Sequence, residues 1–315
     1  MQKNKICIIG GSGFVGSYIT RLFAGQGRPV RVLTSRRDHA KALFVLPSVD
    51  IIEANIHDET QLTRALAGCD AVINLVGVLH DSGRPGQGFQ RAHVDLTRKV
   101  IAACKANNIQ RLLHMSALKA DVNGPSAYLR SKGQAEQLVR ESGLQWTIFC
   151  PSVIFGRGDS FLNLFAALLA VAPVFPLAGA DAKFQPVWVE DVARAFVGCV
   201  DNRATFGKRY NLCGPQIYTL RELVKLVAHI KGLKRFVIGL PGPVAYMQAL
   251  ALEILPGKMM SRDNLLSMKV DNVCGCDFPA EFGFAPAALE SVAPQFIAQI
   301  DLISRFNRYR AGAGR

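Results

Sequence analysis

The sequence predicts an α/β protein built on a doubly wound parallel sheet, with a smaller, mostly helical C-terminal lobe. Three observations predict it. The chain opens with a short apolar run, a glycine-rich turn and an amphipathic stretch. Apolar runs of strand length then alternate with helical patterns through the first half. Finally, 315 residues, half of them hydrophobic, suffice for one large α/β domain and a smaller lobe.

Ile6, Ile8 and Ile9 form the opening run, the pattern of a strand buried on both faces. Gly10, Gly13 and Gly16 follow, ahead of the amphipathic stretch 17–24. In a strand–turn–helix unit of this kind, Gly10 permits the tight turn. Gly13 lets backbone N–H groups approach a pyrophosphate, and Gly16 lets the helix pack close to the strand. The helix N-terminus then presents partial positive charge to the phosphates. This is the pattern of a Rossmann-type dinucleotide site.

The second strand spans 30–34 and runs into Ser35-Arg36-Arg37. An NAD site of this type places Asp or Glu here, on the adenosine ribose hydroxyls. This chain has no acid there and two arginines, and a guanidinium pairs well with a 2′-phosphate. NADP(H) is therefore expected over NAD(H). One of the two arginines could equally belong to a solvated loop. Residues 38–47 read as a helix ending before Pro47, and 49–54 as the third strand. Asn55-Ile-His-Asp58 closes that strand, and Asp58 suits the N-cap of a helix over 59–67. The fourth strand is 71–76, ending in Gly77. A polar, Gly-rich loop over 80–90 and a long helix over 93–107 follow, and the fifth strand leads into Ser116.

In such a sheet the ligand site lies at the carboxyl ends of the strands, where Ser116 is expected. Twelve residues later, Tyr128 and Lys132 are spaced four apart, on one face of a helix. An ammonium beside a phenol favours the phenolate, so a lowered Tyr128 pKa is expected. With a Ser hydroxyl to hold a carbonyl or alcohol oxygen, these are the parts of a general acid/base for hydride transfer. Tyr128 and Lys132 also suit an ordinary helix surface.

On these residues the chain resembles an extended or atypical short-chain dehydrogenase/reductase. Gly10, Gly13 and Gly16 match that family's cofactor glycines, and Ser116, Tyr128 and Lys132 its catalytic positions. The stretches 150–156, 185–193 and 210–215 continue the resemblance downstream. His93 and Cys150 depart from its sugar-nucleotide enzymes, which often carry Asn and Arg there. The candidate cofactor-binding residues are Gly10, Gly13, Phe14, Val15, Gly16, Ser35, Arg36, Arg37, Asn55, Ile56, Val76, Gly77, Lys132, Pro151 and Val153.

Within the superfamily, 74–79, 151–159 and 282–293 are most similar to the branch of the nucleotide-binding accessory subunit of respiratory complex I and its bacterial relatives. That resemblance implies NADP(H) binding, often without demonstrable catalysis, and a place against a membrane-embedded quinone machine.

The nucleotide-binding core is expected over 1–160. Over 161–315 the remaining core elements interleave with the smaller lobe, at about 161–180 and 215–300, ahead of a basic tail at 305–315. Residues 161–171 read as an apolar core or lid helix. The stretch 244–255 sets Val244, Met247, Leu250, Ala251 and Ile254 on one helical face, suited either to an internal lid or to a membrane interface. It is too short to span a bilayer.

The net charge of +13 favours anionic partners. The basic residues are dispersed, without the basic helix or interleaved aromatics of a nucleic-acid site. Nucleotide phosphates and an anionic membrane surface are the better candidates. Eight cysteines, mostly in apolar segments, suit reduced core thiols and a cytoplasmic protein, with a peripheral position on the inner face of the cytoplasmic membrane as the membrane-associated form. No signal peptide is read before the first strand, and no metal site is expected. Two functions are carried forward. One is a structural or regulatory NADP(H)-binding protein at a respiratory or quinone-related membrane complex. The other is a soluble NADP-dependent oxidoreductase, or sugar-nucleotide epimerase or dehydratase, using Ser116, Tyr128 and Lys132.

Overall fold

The computed structural model describes residues 4–81, 86–254 and 260–298. The tail at 305–315, part of the loop at 80–90 and the end of the stretch at 244–255 lie outside them. Of the described residues, those within Met1–Pro151, Val189–Leu212 and Pro279–Phe284 form one compact unit. Those within Ser152–Trp188, Cys213–Phe278 and Ala285–Arg315 form a second.

The first unit is a seven-stranded sheet. Its strands are β1 (Ile6–Ile9), β2 (Val30–Thr34), β3 (Val49–Glu53), β4 (Ala71–Asn74), β5 (Arg111–Met115), β6 (Gln145–Pro151) and a last strand, Lys208–Leu212. The order is β3-β2-β1-β4-β5-β6 and then Lys208–Leu212, with every neighbouring pair parallel. All four residues of β1 are fully buried, as a central strand covered on both faces requires. Leu62, Leu66, Leu96, Val100 and Cys104 from flanking helices pack against Cys7, Ile9, Val72 and Leu112. Because the strands run the same way, β1, β2, β3, β4, β5 and β6 deliver their following loops to one edge. That edge collects the turn at 10–16, Ser35–Arg37, Asn55 and Ile56, Val76 and Gly77, and Ser116; Pro151 is the last residue of β6 itself.

Two local expectations are corrected. Residues 38–47 are not an α-helix: a 3₁₀-helix spans Arg37–Leu43, with only Ala40 and Leu43 buried. Those two sit three apart, the repeat that lines up in a 3₁₀ turn. The long helix over 93–107 is an α-helix only over Leu96–Ala106. It is entered through a π-helical turn, Gln90–Asp95. Asp58 is the N-cap of the helix Glu59–Leu66, its carboxylate accepting from Gln61 N–H.

The second unit is held by its own core. Leu162, Ala166 and Leu169 of the helix Leu162–Val171 pack with Leu223, Val224 and Val227 of the helix Leu220–Ile230, and with Val292, Ala293 and Phe296. Asp159 caps the first of these helices, accepting from the amides of Phe161 and Leu162. Thr219 caps the second in a reciprocal box with Glu222. The expectation of uniformly reduced cysteines is corrected here: Cys213 and Cys274 form a disulfide. Gln185 grips both segments beside it, its Nε2 donating to Gly214 O and its Oε1 accepting from Cys274 N–H. Loop segments far apart in sequence are thus brought together, a proximity that composition cannot reveal.

Candidate functional site

The turn after β1 is built for a close approach. Gly10 has φ +84°, in the left-handed region. A Cβ on Gly16 would stand 2.2 Å from Gly10 O and 2.6 Å from Gly11 Cα. Gly13 N–H donates to Gly10 O at 3.0 Å, which closes the turn at the start of the helix Phe14–Gly25. No side-chain cap covers that N-terminus, so its free amides suit a pyrophosphate. Phe14 and Val15 open this helix.

After β2, Thr34 Oγ1 donates to Arg36 O at 2.9 Å, which shapes the loop. Arg36 Nη2 lies 2.8 Å from His39 Nε2. The Arg37 guanidinium lies over the Phe44 ring, and its backbone N–H donates to Glu53. Both arginines are exposed. Asn55 and Ile56 follow β3, and Asn55 Oδ1 accepts from His57 N–H. These residues fit a dinucleotide: the glycine turn, the uncapped helix end and the arginine pair occupy one sheet edge.

Ser116 directly follows β5. Its hydroxyl is buried and has no hydrogen-bond partner. The helix Ala127–Arg140 carries Tyr128 and Lys132 one turn apart. That helix lies tight against the chain at Asp121 and Val122, because Gly133 has no side chain: a Cβ there would meet Asp121 C at 2.5 Å. Lys132 Nζ donates to Met115 O at 3.2 Å and to Val76 O at 3.5 Å. These carbonyls immediately precede Ser116 and Gly77, so one ammonium ties the ends of β4 and β5. Burial lowers the Lys132 pKa to about 8.

The expected low pKa of Tyr128 is corrected. Burial first, and then Cys150, push its phenol up to about 12. Lys132 is itself desolvated and engaged with carbonyls, which removes the acidifying effect expected from the four-residue spacing. Cys150 donates its thiol proton to Glu136 at 3.2 Å. Burial and that carboxylate hold the thiol well above its ordinary pKa.

His93 is the residue the sequence reading noted only as a departure. Its Nε2 accepts from Val78 N–H at 3.1 Å, and its Nδ1 lies 2.8 Å from Ser131 Oγ. Ser131 Oγ donates to Tyr128 O at 2.9 Å. The three bonds are mutually consistent only if Nδ1 carries the proton and donates to Ser131. The ring is therefore neutral. Burial, Lys132 and His114 depress its pKa to about 2. The π-helical turn around His93 is the local irregularity that accompanies this placement. Phe89 and His93 both meet the Tyr128 ring edge-on. Nearby, His114 on β5 accepts from Asn74 Nδ2 at 3.3 Å, while its Nε2 is buried without a partner.

The structure thus gathers Gly10–Gly16, Ser35–Arg37, Asn55, Ile56, Val76, Gly77, Ser116 and Pro151 at one sheet edge, with Lys132 joining two of the strand ends. Val153 belongs to the second unit. Among the described residues, no group of three or more His, Cys, Asp or Glu is arranged to hold a metal ion.

Residues 10–159 match the NAD(P)H-binding family. The chain is 30% identical over 260 residues to the mitochondrial NADH dehydrogenase [ubiquinone] 1 alpha subcomplex subunit 9 of Arabidopsis thaliana. That match covers 80% of this chain but 64% of the relative, less than two thirds of its length. It is 29% identical to the ceramide reductase of Caulobacter vibrioides, over 76% of this chain and 75% of that one. Among solved structures, an NADPH-dependent quinone oxidoreductase of Escherichia coli, complexed with NADPH, superposes with a TM-score of 0.70 at 21% identity, over 91% of this chain and 97% of the other. Together with the glycine turn, these similarities identify an NAD(P)H-binding domain over residues 10–159, in a chain similar to the alpha-subcomplex subunit 9 of NADH dehydrogenase.

Proposed function

We propose that this chain is an NADP(H)-binding protein with a structural or regulatory role at a respiratory or quinone-related membrane complex. The observation that carries it is the engagement of Lys132. Its ammonium holds the carbonyls of Met115 and Val76, while Tyr128 keeps its proton. A lysine used in this way fastens two strand ends under the nucleotide rather than activating a phenol. Arg36 and Arg37, in Ser35-Arg36-Arg37 where an NAD site of this type carries Asp or Glu, support the choice of NADP(H). Similarity to a subunit of NADH dehydrogenase supports the partner.

A second reading rests on the buried, unpaired hydroxyl of Ser116. Such a hydroxyl is available to a substrate oxygen. When bound, the nucleotide supplies hydride. Tyr128, protonated across the physiological range, supplies a proton to the developing alkoxide, and Ser116 holds that oxygen. The relative named as a ceramide reductase supports this enzyme reading.

The test is isolation of the tagged native protein from detergent-solubilised membranes. Extracted NADP(H) and co-migration with respiratory subunits are expected. Free protein that consumes NADPH with a membrane extract as substrate would overturn the structural role in favour of the enzyme.

A further inference from the structure

The strands Val174–Leu177 and Phe236–Gly239 form a parallel two-stranded ribbon in the second unit. Along it Phe236 pairs with Val174, and Ile238 with Pro176. The residues between, Phe175, Val237 and Leu177, pack on the core. Side chains alternate across a sheet, so the opposite face consists of Val174, Pro176, Phe236 and Ile238. A ribbon with one wetted face should carry polar residues there. This one is apolar on both sides, and Phe236 is 75% exposed.

The patch continues beyond the ribbon. Gln248 Nε2 donates to Pro176 O at 2.9 Å and holds the helix Gly242–Ile254 against it. That helix buries Ala245 and Ala249 but exposes Val244, Tyr246 and Met247. Of the face read from the sequence, Val244, Met247 and Ala251 are exposed and Leu250 is half-buried. Val171, at the end of the helix Leu162–Val171, is 85% exposed. Arg235 Nε donates to Leu169 O at 2.7 Å and fixes that end beside the ribbon.

Charge selects the occupant. Lys231, Lys234 and Arg235 immediately precede Phe236, and no charged residue lies between Arg235 and Glu253. Large apolar side chains bordered by cations suit the boundary between acyl chains and acidic head groups. We infer that the outer face of this ribbon, with the exposed face of the Gly242–Ile254 helix, docks peripherally on an anionic lipid surface. Among the described residues no helix is long and apolar enough to cross a membrane. The inference supplies the lipid side of the membrane association proposed above. Protein-free vesicles test it apart from any protein complex, so its failure leaves the nucleotide reading standing.

The experiment is flotation of the full chain with phosphatidylcholine vesicles, with and without phosphatidylglycerol. Co-flotation only with phosphatidylglycerol, weakening as salt rises, is expected. Lys234→Gln should lower partition about fivefold at low salt. Phe236→Ser with Ile238→Ser should lower it about tenfold or more. Both sites are exposed, so the melting transition and NADPH binding should stay near wild type. Wild type that remains unfloated with both vesicles overturns the inference, as does undiminished flotation of the Phe236→Ser/Ile238→Ser variant. A concentration-dependent dimer that this variant dissolves would reassign the face to a second copy of the chain and equally overturn it.

Discussion

His93 and Tyr128 meet edge-on, their ring centroids 5.6 Å apart. Because His93 also accepts Val78 N–H and donates to Ser131, it joins the loop after β4 to the helix that carries Tyr128. His93→Leu leaves the Val78 amide and the Ser131 hydroxyl without this partner. The expected loss is about 1–3 kcal/mol of stability in urea unfolding. His93→Asn retains a donor and an acceptor and should lose less. Equal losses in the two variants would reduce His93 to a space-filling role.

The same network sets a pH dependence. Burial depresses His93 to about 2 and His114 to about 3, from an ordinary 6.5. Between those values the unfolded chain binds more protons than the folded one. Stability is therefore retained above pH 6.5 and lost as pH falls below it, by about 1.4 kcal/mol per pH unit for each histidine. Urea unfolding at neutrality and near pH 5 checks this. Replacing either histidine with a neutral residue should flatten the profile, measured against each variant's own stability at neutrality. A wild-type profile that is flat over that range would contradict the neutral assignment.

The fold was largely legible because a parallel sheet buried on both faces writes itself as short apolar runs, as in Ile6–Ile9. The glycines at 10, 13 and 16 were legible because backbone approach admits no other residue at Gly16. Spacing brought out Tyr128 and Lys132 as a pair, but not their protonation. Burial and carbonyl contacts set that, and both depend on residues far apart in sequence, such as Val76 and Met115. His93 was visible only as a substitution, since its partners at 78 and 131 lie on other elements. The Cys213–Cys274 bond was hidden for the same reason, with 61 residues between its ends. The outward face of the Phe236–Gly239 ribbon escaped because an apolar strand reads as core unless its cover is known.

Cofactor choice should follow Arg36 and Arg37. Both are exposed on the loop after β2, beside the sheet edge where the ribose end of a dinucleotide is expected. NADPH should bind more tightly than NADH. Arg36→Ala should weaken NADPH about tenfold or more while leaving NADH nearly unchanged. Titration of both nucleotides by calorimetry decides it. Equal affinities in wild type would sink the NADP(H) assignment.

Tyr128→Phe separates binding from chemistry. The substitution removes only a hydroxyl, from a ring already packed against Phe89 and His93. NADPH affinity should remain within about twofold of wild type, whereas any NADPH-dependent turnover should fall by about 10²–10⁴-fold. Ser116→Ala should lower turnover and leave affinity intact, because its hydroxyl is not part of the nucleotide turn. Full turnover in Tyr128→Phe would remove the phenol from the mechanism.

The disulfide predicts a thiol count. Of eight cysteines, Cys213 and Cys274 are bonded to each other and the other six form no disulfide. Unreduced protein, denatured and titrated with a thiol reagent, should yield six thiols, and eight after reduction. The bond closes a long loop within the second unit, beside the Gln185 clamp on Gly214 and Cys274. Cys213→Ser with Cys274→Ser should therefore cost about 2–4 kcal/mol, through the added freedom of the unfolded chain. The glycine turn and the arginine pair lie in the first unit, so NADPH affinity should be unaffected. Eight thiols without reduction would mean that the protein keeps both cysteines as thiols, and the paired substitutions should then leave stability nearly unchanged.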